Sequence, residues 1–265
     1  MSDDISIVQK SALGSETTQI GNQNNYYGMT PEEASQTAIK LFMDNFPKLQ
    51  EEANRIVHER VDELVTNVVS EIEQKYSGNY SAFSTPDMQY ILVQAEKGYA
   101  RRGTSELCSM LSSLIADRSA CTENSYLEMV LDKAIELAPS LSPLHLDYLS
   151  LIFLYKHVRF GDLSTIESVQ ERFAEIHNCF SSPASAQVIS YLNMLGILTI
   201  QLGEASEMVA RTYGFAKQDI LPILPSESKM IPGDYGLTPA GIVLAIFNAH
   251  SKSRWKFNLH TWIHE

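Results

Sequence analysis

The chain carries none of the short signatures that mark common catalytic sites. It has no GxxxxGK[S/T] or GxGxxG phosphate loop, no GxSxG elbow and no HExxH pair, so those routes to phosphate binding, acyl transfer and zinc hydrolysis have no carrier. Cysteine is scarce. Cys108, Cys121 and Cys179 are odd in number, widely spaced and without a CxxC pair, which argues against a disulfide framework and for a reducing compartment. Cys108 falls in an apolar helical pattern and is expected to be a buried, inert thiol. No run reaches the ~18 consecutive apolar residues of a membrane span. The nearest, Val188 to Leu202, is broken by Ser190, Asn193, Gly196, Thr199 and Gln201. The opening MSDDISIVQK lacks the basic start and apolar run of a signal peptide, and the expected localisation is cytoplasmic. Basic residues are also in deficit: 20 Lys and Arg against 32 Asp and Glu leave a net charge of −12. That balance favours solubility and opposes general binding to nucleic acid or anionic lipid.

What is present is ordinary globular material. In 265 residues, 44% are hydrophobic and 20% charged, enough for one large domain or two smaller ones with a real core. Residues 1–30 stand apart. They are rich in Ser, Thr, Asn, Gln and Gly and bury too little apolar surface to offset their ordering entropy, which predicts a flexible tail.

Thr30-Pro31-Glu32-Glu33 is then a helix start, with Thr30 as cap, Pro31 at the first helical position and Glu33 completing a capping box. Ile39, Phe42, Phe46, Leu49, Ala53, Ile56, Val57, Val61, Leu64, Val68 and Ile72 follow in steps that are mostly threes and fours. This is the seam of a long amphipathic helix or short coiled coil over residues 31–78, ending at Ser77-Gly78-Asn79. Pro47 is expected to kink or split it. The seam residues Ile39, Phe42, Phe46, Leu49, Ile56, Leu64 and Val68 either join copies of the chain or pack within it.

Residues 85–265 read as a domain of short helices. Thr85-Pro86 opens one that stops at Gly103. Thr104 caps a second, Asn124 or Ser125 a third that closes before Pro139, and Ser142-Pro143 starts a very apolar one through Leu154. Ser164 is read as the cap of a helix ending near Cys179, Ser182-Pro183 as the start of the next, and Thr238-Pro239 as the start of the last. The Pro- and Gly-rich stretch from Leu221 to Gly236 reads as a loop or a distorted hairpin. The alternation of Trp255, Phe257 and Leu259 suggests a short strand. The expected fold is mainly α, without a solenoid repeat.

The candidate chemical groups are weak. His260 and His264 are four apart, beside Glu265, a metal spacing on a helix, but they sit at a fraying terminus with no third ligand. His145 with Asp147 lies in the apolar helix and reads as a structural histidine. His177 and Cys179 are two apart and do not face each other on a helix. No catalytic residue, metal or cofactor is expected, and the chain is expected not to be an enzyme. Arg101-Arg102 and the run Lys252, Arg254, Trp255, Lys256 are the basic clusters. The first reads as a helix C-terminus favoured by cations, the second as a solvated tail.

Residues 17–28 carry a stronger signal. They hold no charge and no proline, their Asn and Gln side chains can form ladders between stacked strands, and Ile20, Tyr26 and Tyr27 can fill a dry interface. Gln19-Ile20-Gly21, followed by Asn22, Asn25 and Tyr26, resembles the core of the RIP homotypic interaction motif (RHIM), which is found in necroptosis proteins and in prokaryotic and fungal amyloid signalling proteins. The resemblance implies a stacking core of Gln19, Ile20 and Gly21 flanked by Asn22, Asn25 and Tyr26. Thr18 departs from the Val or Ile usual there. The stretches Tyr90–Leu114 and Leu141–Leu154 resemble helical bacterial proteins of the Abi-alpha type, some of them associated with abortive infection. Leu237-Thr238-Pro239-Ala240-Gly241 resembles the L-T-x-x-G step that opens the closing helix of winged-helix proteins, so residues 143–250 are expected to form a degenerate winged helix. Together these imply a self-assembling signalling protein in anti-phage defence that binds itself and a protein partner, one sharing the motif. The alternative is a winged-helix DNA-binding regulator. Residues 183–202, where that reading needs a basic helix, contain no Lys or Arg.

Overall fold

A computed structural model describes residues 30–181, 186–200, 204–224 and 235–263. The RHIM-like residues Gln19, Ile20, Gly21, Asn22, Asn25 and Tyr26 lie outside them, as does the Ser182-Pro183 helix start. The fold is mainly α: ten α-helices and one two-stranded sheet are seen among the described residues. The chain divides into two units, Met1–Asn54 and Arg55–Glu265.

The first helix, α1, spans Pro31–Tyr76. Its capping box forms as expected: Thr30 Oγ1 accepts from Glu33 N at 3.2 Å and Glu33 Oε2 accepts from Thr30 N at 2.9 Å. Pro47 lies inside it and does not split it. One missing N–H in a helix of 46 residues removes one hydrogen bond, and the neighbouring turns remain hydrogen-bonded on both sides. The division between the units falls within this helix, and Leu64, Val68 and Ile72 of its second half are buried in the second unit.

Within the second unit, α2 (Pro86–Arg102), α3 (Ser105–Ser119) and α4 (Tyr126–Leu137) start on the side chains of Thr85, Thr104 and Ser125. The α2 helix ends on Gly103 in the left-handed region, φ 61°. A Cβ there would also strike the Arg60 guanidinium, which donates to the Ala100 carbonyl. The α5 helix (Pro143–Lys156) is capped by Ser142. The α6 helix (Ile166–Cys179) is capped by Thr165, one residue later than the sequence reading placed it, because Thr165 has the extended backbone that aims its hydroxyl at Ser168 N. Then come α7 (Ala186–Met194), β1 (Leu198–Ile200), α8 (Ala205–Tyr213), α9 (Lys217–Ile220), β2 (Tyr235–Leu237) and α10 (Pro239–Lys252).

The core is built around α5 and α10. Both are apolar on every side, the mark of a helix packed all round. Residues 146–155 and 240–249 are buried without interruption. Leu64, Val68 and Ile72 of α1 join the same core.

The sheet pairs Leu198 with Leu237 and Ile200 with Tyr235, antiparallel. The loop at its end explains the Leu237–Gly241 motif. Thr238 N and Oγ1 each donate to the Ile197 carbonyl at 2.9 Å, and Thr238 Oγ1 caps α10 by accepting from Gly241 N. A Cβ at Gly241 would stand 2.7 Å from that same Ile197 carbonyl oxygen. Backbone does not yield as a side-chain tip does. Gly241→Ala is therefore expected to cost about 1–3 kcal/mol by overpacking, read as a lowered urea midpoint with an unchanged slope. An unchanged midpoint would sink this account of the glycine.

The tail did not form the expected strand. Burial does alternate from Arg254 to His260, but the chain runs against helices, not a sheet. Phe257 and Trp262 each meet the Phe153 ring edge-on at 5.1 Å, and Leu259–Thr261 is a 3-10 turn capped by Asn258.

Candidate functional site

Two features lack a purely structural explanation. The first is the stripe on α1. Ile39, Phe42, Phe46 and Leu49 are 58%, 58%, 48% and 59% exposed, in the strict three-four spacing of a coiled-coil seam. Side chains of this size seldom stay bare in a row. The expected seam does not continue as one surface. Ile56 is half-buried, and Leu64 and Val68 are 2% and 5% exposed, covered by this chain. They are core residues, and no partner seats on them. Polar ties accompany that packing: Tyr99 O–H donates to Glu63 at 2.6 Å and Ser113 O–H to Glu71 at 2.7 Å.

The second is a cleft of about 1120 Å³ in the second unit, at or above the roughly 300–1,000 Å³ usual for small-ligand sites. It lies among the end of α1, one face of α3, the C-terminal turn of α10 and the tail. Ser105, Ser109 and Ser113, one turn apart on α3, present small side chains to the space. Met110, Leu146, Phe247 and Phe257 give it apolar walls. Lys75 donates to Asp117 at 3.1 Å and pairs with Glu71 at 2.9 Å, and its ammonium lies 5.9 Å from the Phe247 ring centre. Burial opposes its charge, but these carboxylates outweigh that and raise its pKa. His250 Nε2 accepts from Phe257 N at 2.8 Å. Burial, with the Lys256 charge, lowers the His250 pKa, so the ring is neutral at pH 7 and carries its proton on Nδ1.

The other candidates have structural roles. His145 Nδ1 accepts from Ser142 N at 3.1 Å and completes the α5 capping box. Asp147, 3% exposed, is one centre of a buried network: its carboxylate accepts from Lys252 at 2.6 Å, Asn248 at 3.1 Å and Ser181 N at 3.1 Å. His177 Nε2 bonds the Tyr155 hydroxyl at 2.8 Å. All three cysteines are free. Burial pushes each thiol up, Cys121 to about 11, which leaves them protonated and poor nucleophiles at pH 7. Among the described residues no group of three potential metal ligands occurs; His264 and Glu265 lie outside them. The second basic cluster is tied down, with Lys252 on Asp147, Arg254 on Glu175 and Lys256 on the His250 carbonyl. Sequence reasoning missed the cleft because no local pattern marks it. The regular serines on α3 were its one trace.

Among the described residues His157 and Trp255 each keep a buried side-chain nitrogen without a hydrogen-bond partner, and His157 is the titratable one of the two. Burial, aided by Lys156, holds its pKa down at about 4. The unfolded ring, with its ordinary pKa near 6.5, takes a proton first on acidification. The stabilising contribution is therefore complete above pH 6.5 and is lost as pH falls towards 4, by up to about 3 kcal/mol. His157→Leu should flatten urea stability over this window; an unchanged slope of stability against pH would refute the assignment.

A model of a family of unknown function matches residues 28–231, more than half of the chain. The chain belongs to that family. The matched span opens at Gly28 and so leaves out Gln19 through Tyr26; it takes in the exposed seam, α2 to α9 and part of the cleft. No curated protein and no solved structure matches the chain. No helix among the described residues is long and apolar enough to cross a membrane.

Proposed function

We propose that this chain is a non-enzymatic interaction protein that assembles with copies of itself, in the manner of amyloid-type signalling proteins in bacterial anti-phage defence. The bare seam Ile39–Phe42–Phe46–Leu49 carries the reading, because an apolar row of this kind on a helix is stabilised by a facing helix. Residues 17–28, with their Gln-Ile-Gly core, stand just ahead of it in the chain. Assembly at the seam raises the local concentration of those segments, and stacking adds identical layers. A protein partner sharing the motif is recruited by the same stacking.

The test is seeded assembly of the full chain, followed by amyloid-dye fluorescence and electron microscopy, with Ile20→Asp beside it. A charge at Ile20 is repeated in every layer of a stacked zipper. Fibres from the parent and none from Ile20→Asp are expected. Absence of fibres from both, even when seeded, would sink the amyloid part of the reading.

One observation favours the alternative. The order α7, β1, α8, α9, β2, α10, with β1 antiparallel to β2, follows a winged-helix chain path. On that path the recognition position falls on Lys217–Ile220 and not on residues 183–202, where the sequence reading looked for it, and this helix has 4 residues, too short to lie along a major groove. This reading expects duplex DNA to be retarded at low salt; the interaction reading expects none.

A further inference from the structure

We infer that the cleft between α3 and the C-terminal turn of α10 binds an elongated, neutral, mainly apolar molecule, of the class of a long-chain ketone or ester. The inference is independent of self-association, because every residue lining the cleft lies in the second unit. The volume, about 1120 Å³, exceeds what a few structural waters need and accommodates an organic ligand. The lining follows α3 from Ser105 to Asp117, roughly 18 Å at the rise of an α-helix, so the space is elongated. Met110, Leu146, Phe247 and Phe257 give it apolar walls. An apolar occupant takes that surface, and its own, out of water.

The polar part of the lining decides the charge. Two lysines, Lys75 and Lys252, stand against two carboxylates, Glu106 and Asp117. Both lysines are already engaged, Lys75 with Glu71 and Asp117 and Lys252 with Asp147. The hydroxyls are spent as well: Ser105 donates to Glu106 at 3.4 Å, Ser113 to Glu71 at 2.7 Å and Ser251 to the Asn248 carbonyl at 2.9 Å. An anionic head group would be desolvated with no uncommitted cation to receive it. A cation would meet Glu106, which is exposed, and an ion pair there is screened by water and contributes little. A sugar would find few partners for its hydroxyls. A neutral apolar body meets none of these costs. One polar atom can still be served. The neutral His250 ring spends Nε2 on Phe257 N, and its Nδ1–H is left for an uncharged acceptor such as a carbonyl oxygen.

The probe is N-phenyl-1-naphthylamine, an uncharged aromatic dye that brightens in apolar surroundings. The measurement uses the full chain carrying Phe42→Glu and Leu49→Glu, so that the bare seam does not capture dye and any loss of assembly is read separately from the mass. Saturable binding of about one dye per chain is expected. Ser109→Trp, which fills the cleft from an exposed position, should weaken it by roughly tenfold or more while the circular dichroism stays unchanged. Should that variant not fold, Ser251→Trp fills the cleft from α10 instead. Decan-2-one should displace the dye at least roughly tenfold better than decanoate or decylammonium, which carry a charge on a chain of the same length. Absence of saturable binding, or equal binding by a folded Trp variant, would overturn the site. Displacement by either ion as good as by the ketone would overturn the neutral ligand.

Discussion

Phe42→Glu combined with Leu49→Glu is expected to reduce the full chain to a monomer at concentrations where the parent forms a larger species. Both positions are more than half exposed in the single chain, at 58% and 59%, so the substitution costs the fold little. In an assembly each side chain faces a copy of the same stripe. Burying a Leu or Phe is worth roughly 1.5–3 kcal/mol, and a carboxylate in its place must be desolvated without a partner. The loss is repeated in every copy, and a rise in the dissociation constant of roughly 1,000-fold or more follows. Light scattering coupled to size exclusion reads the mass. Glu51→Gln, which lies off the stripe, serves as the control and should leave the mass alone. A parent chain that is already monomeric, or a double variant with the parent's mass, would remove the seam from the proposed function.

The second large effect is on stability. Asp147→Ala should destabilise the second unit by about 2–4 kcal/mol, because it strips the acceptor from the buried Asn248 amide, from Ser181 N and from the partly exposed Lys252 ammonium. Asp147 joins three pieces of the core. It holds Lys252 and Asn248 of α10, and it accepts from Ser181 N just beyond α6. Asn248 also donates to the Ser150 hydroxyl at 2.9 Å, so the loss spreads along the α5–α10 contact. The thermal midpoint should fall by about 10 °C for a domain of this size. Asp147→Asn keeps the shape and one acceptor and should lie between. A change below about 1 kcal/mol for Asp147→Ala would mean that the network is solvated and not structural.

A second buried charge behaves by the same physics. Arg118, with its side chain 4% exposed, pairs with Glu128 at 2.9 Å and Asp132 at 2.9 Å and also reaches Asp87. The carboxylates more than offset the burial that opposes its charge and raise its pKa. These groups tie α2, α3 and α4 together. In the sequence they are four charged residues among many, with nothing to separate them from surface charge.

The sequence by itself determined the helices and where most begin. Thr30, Thr85, Thr104, Ser142 and Thr238 were legible as caps because capping is local: a hydroxyl meets an amide three residues on. The all-round apolar runs of α5 and α10 likewise announced the core. What failed was whatever depended on contact across the chain. Ser164 and Thr165 are equivalent by composition, and backbone direction chose between them. The alternation at Trp255, Phe257 and Leu259 was real, but its partner was a helical core, and period alone does not name the partner. The stripe on α1 has one spacing from Ile39 to Ile56, yet folding leaves Ile39–Leu49 bare and places Leu64 and Val68 in the core. Only the tertiary structure decided that, since burial belongs to the surroundings of a side chain and not to its identity. The cleft was settled the same way: it is the space that several elements far apart in the chain leave between them, and such a space is written in no single segment.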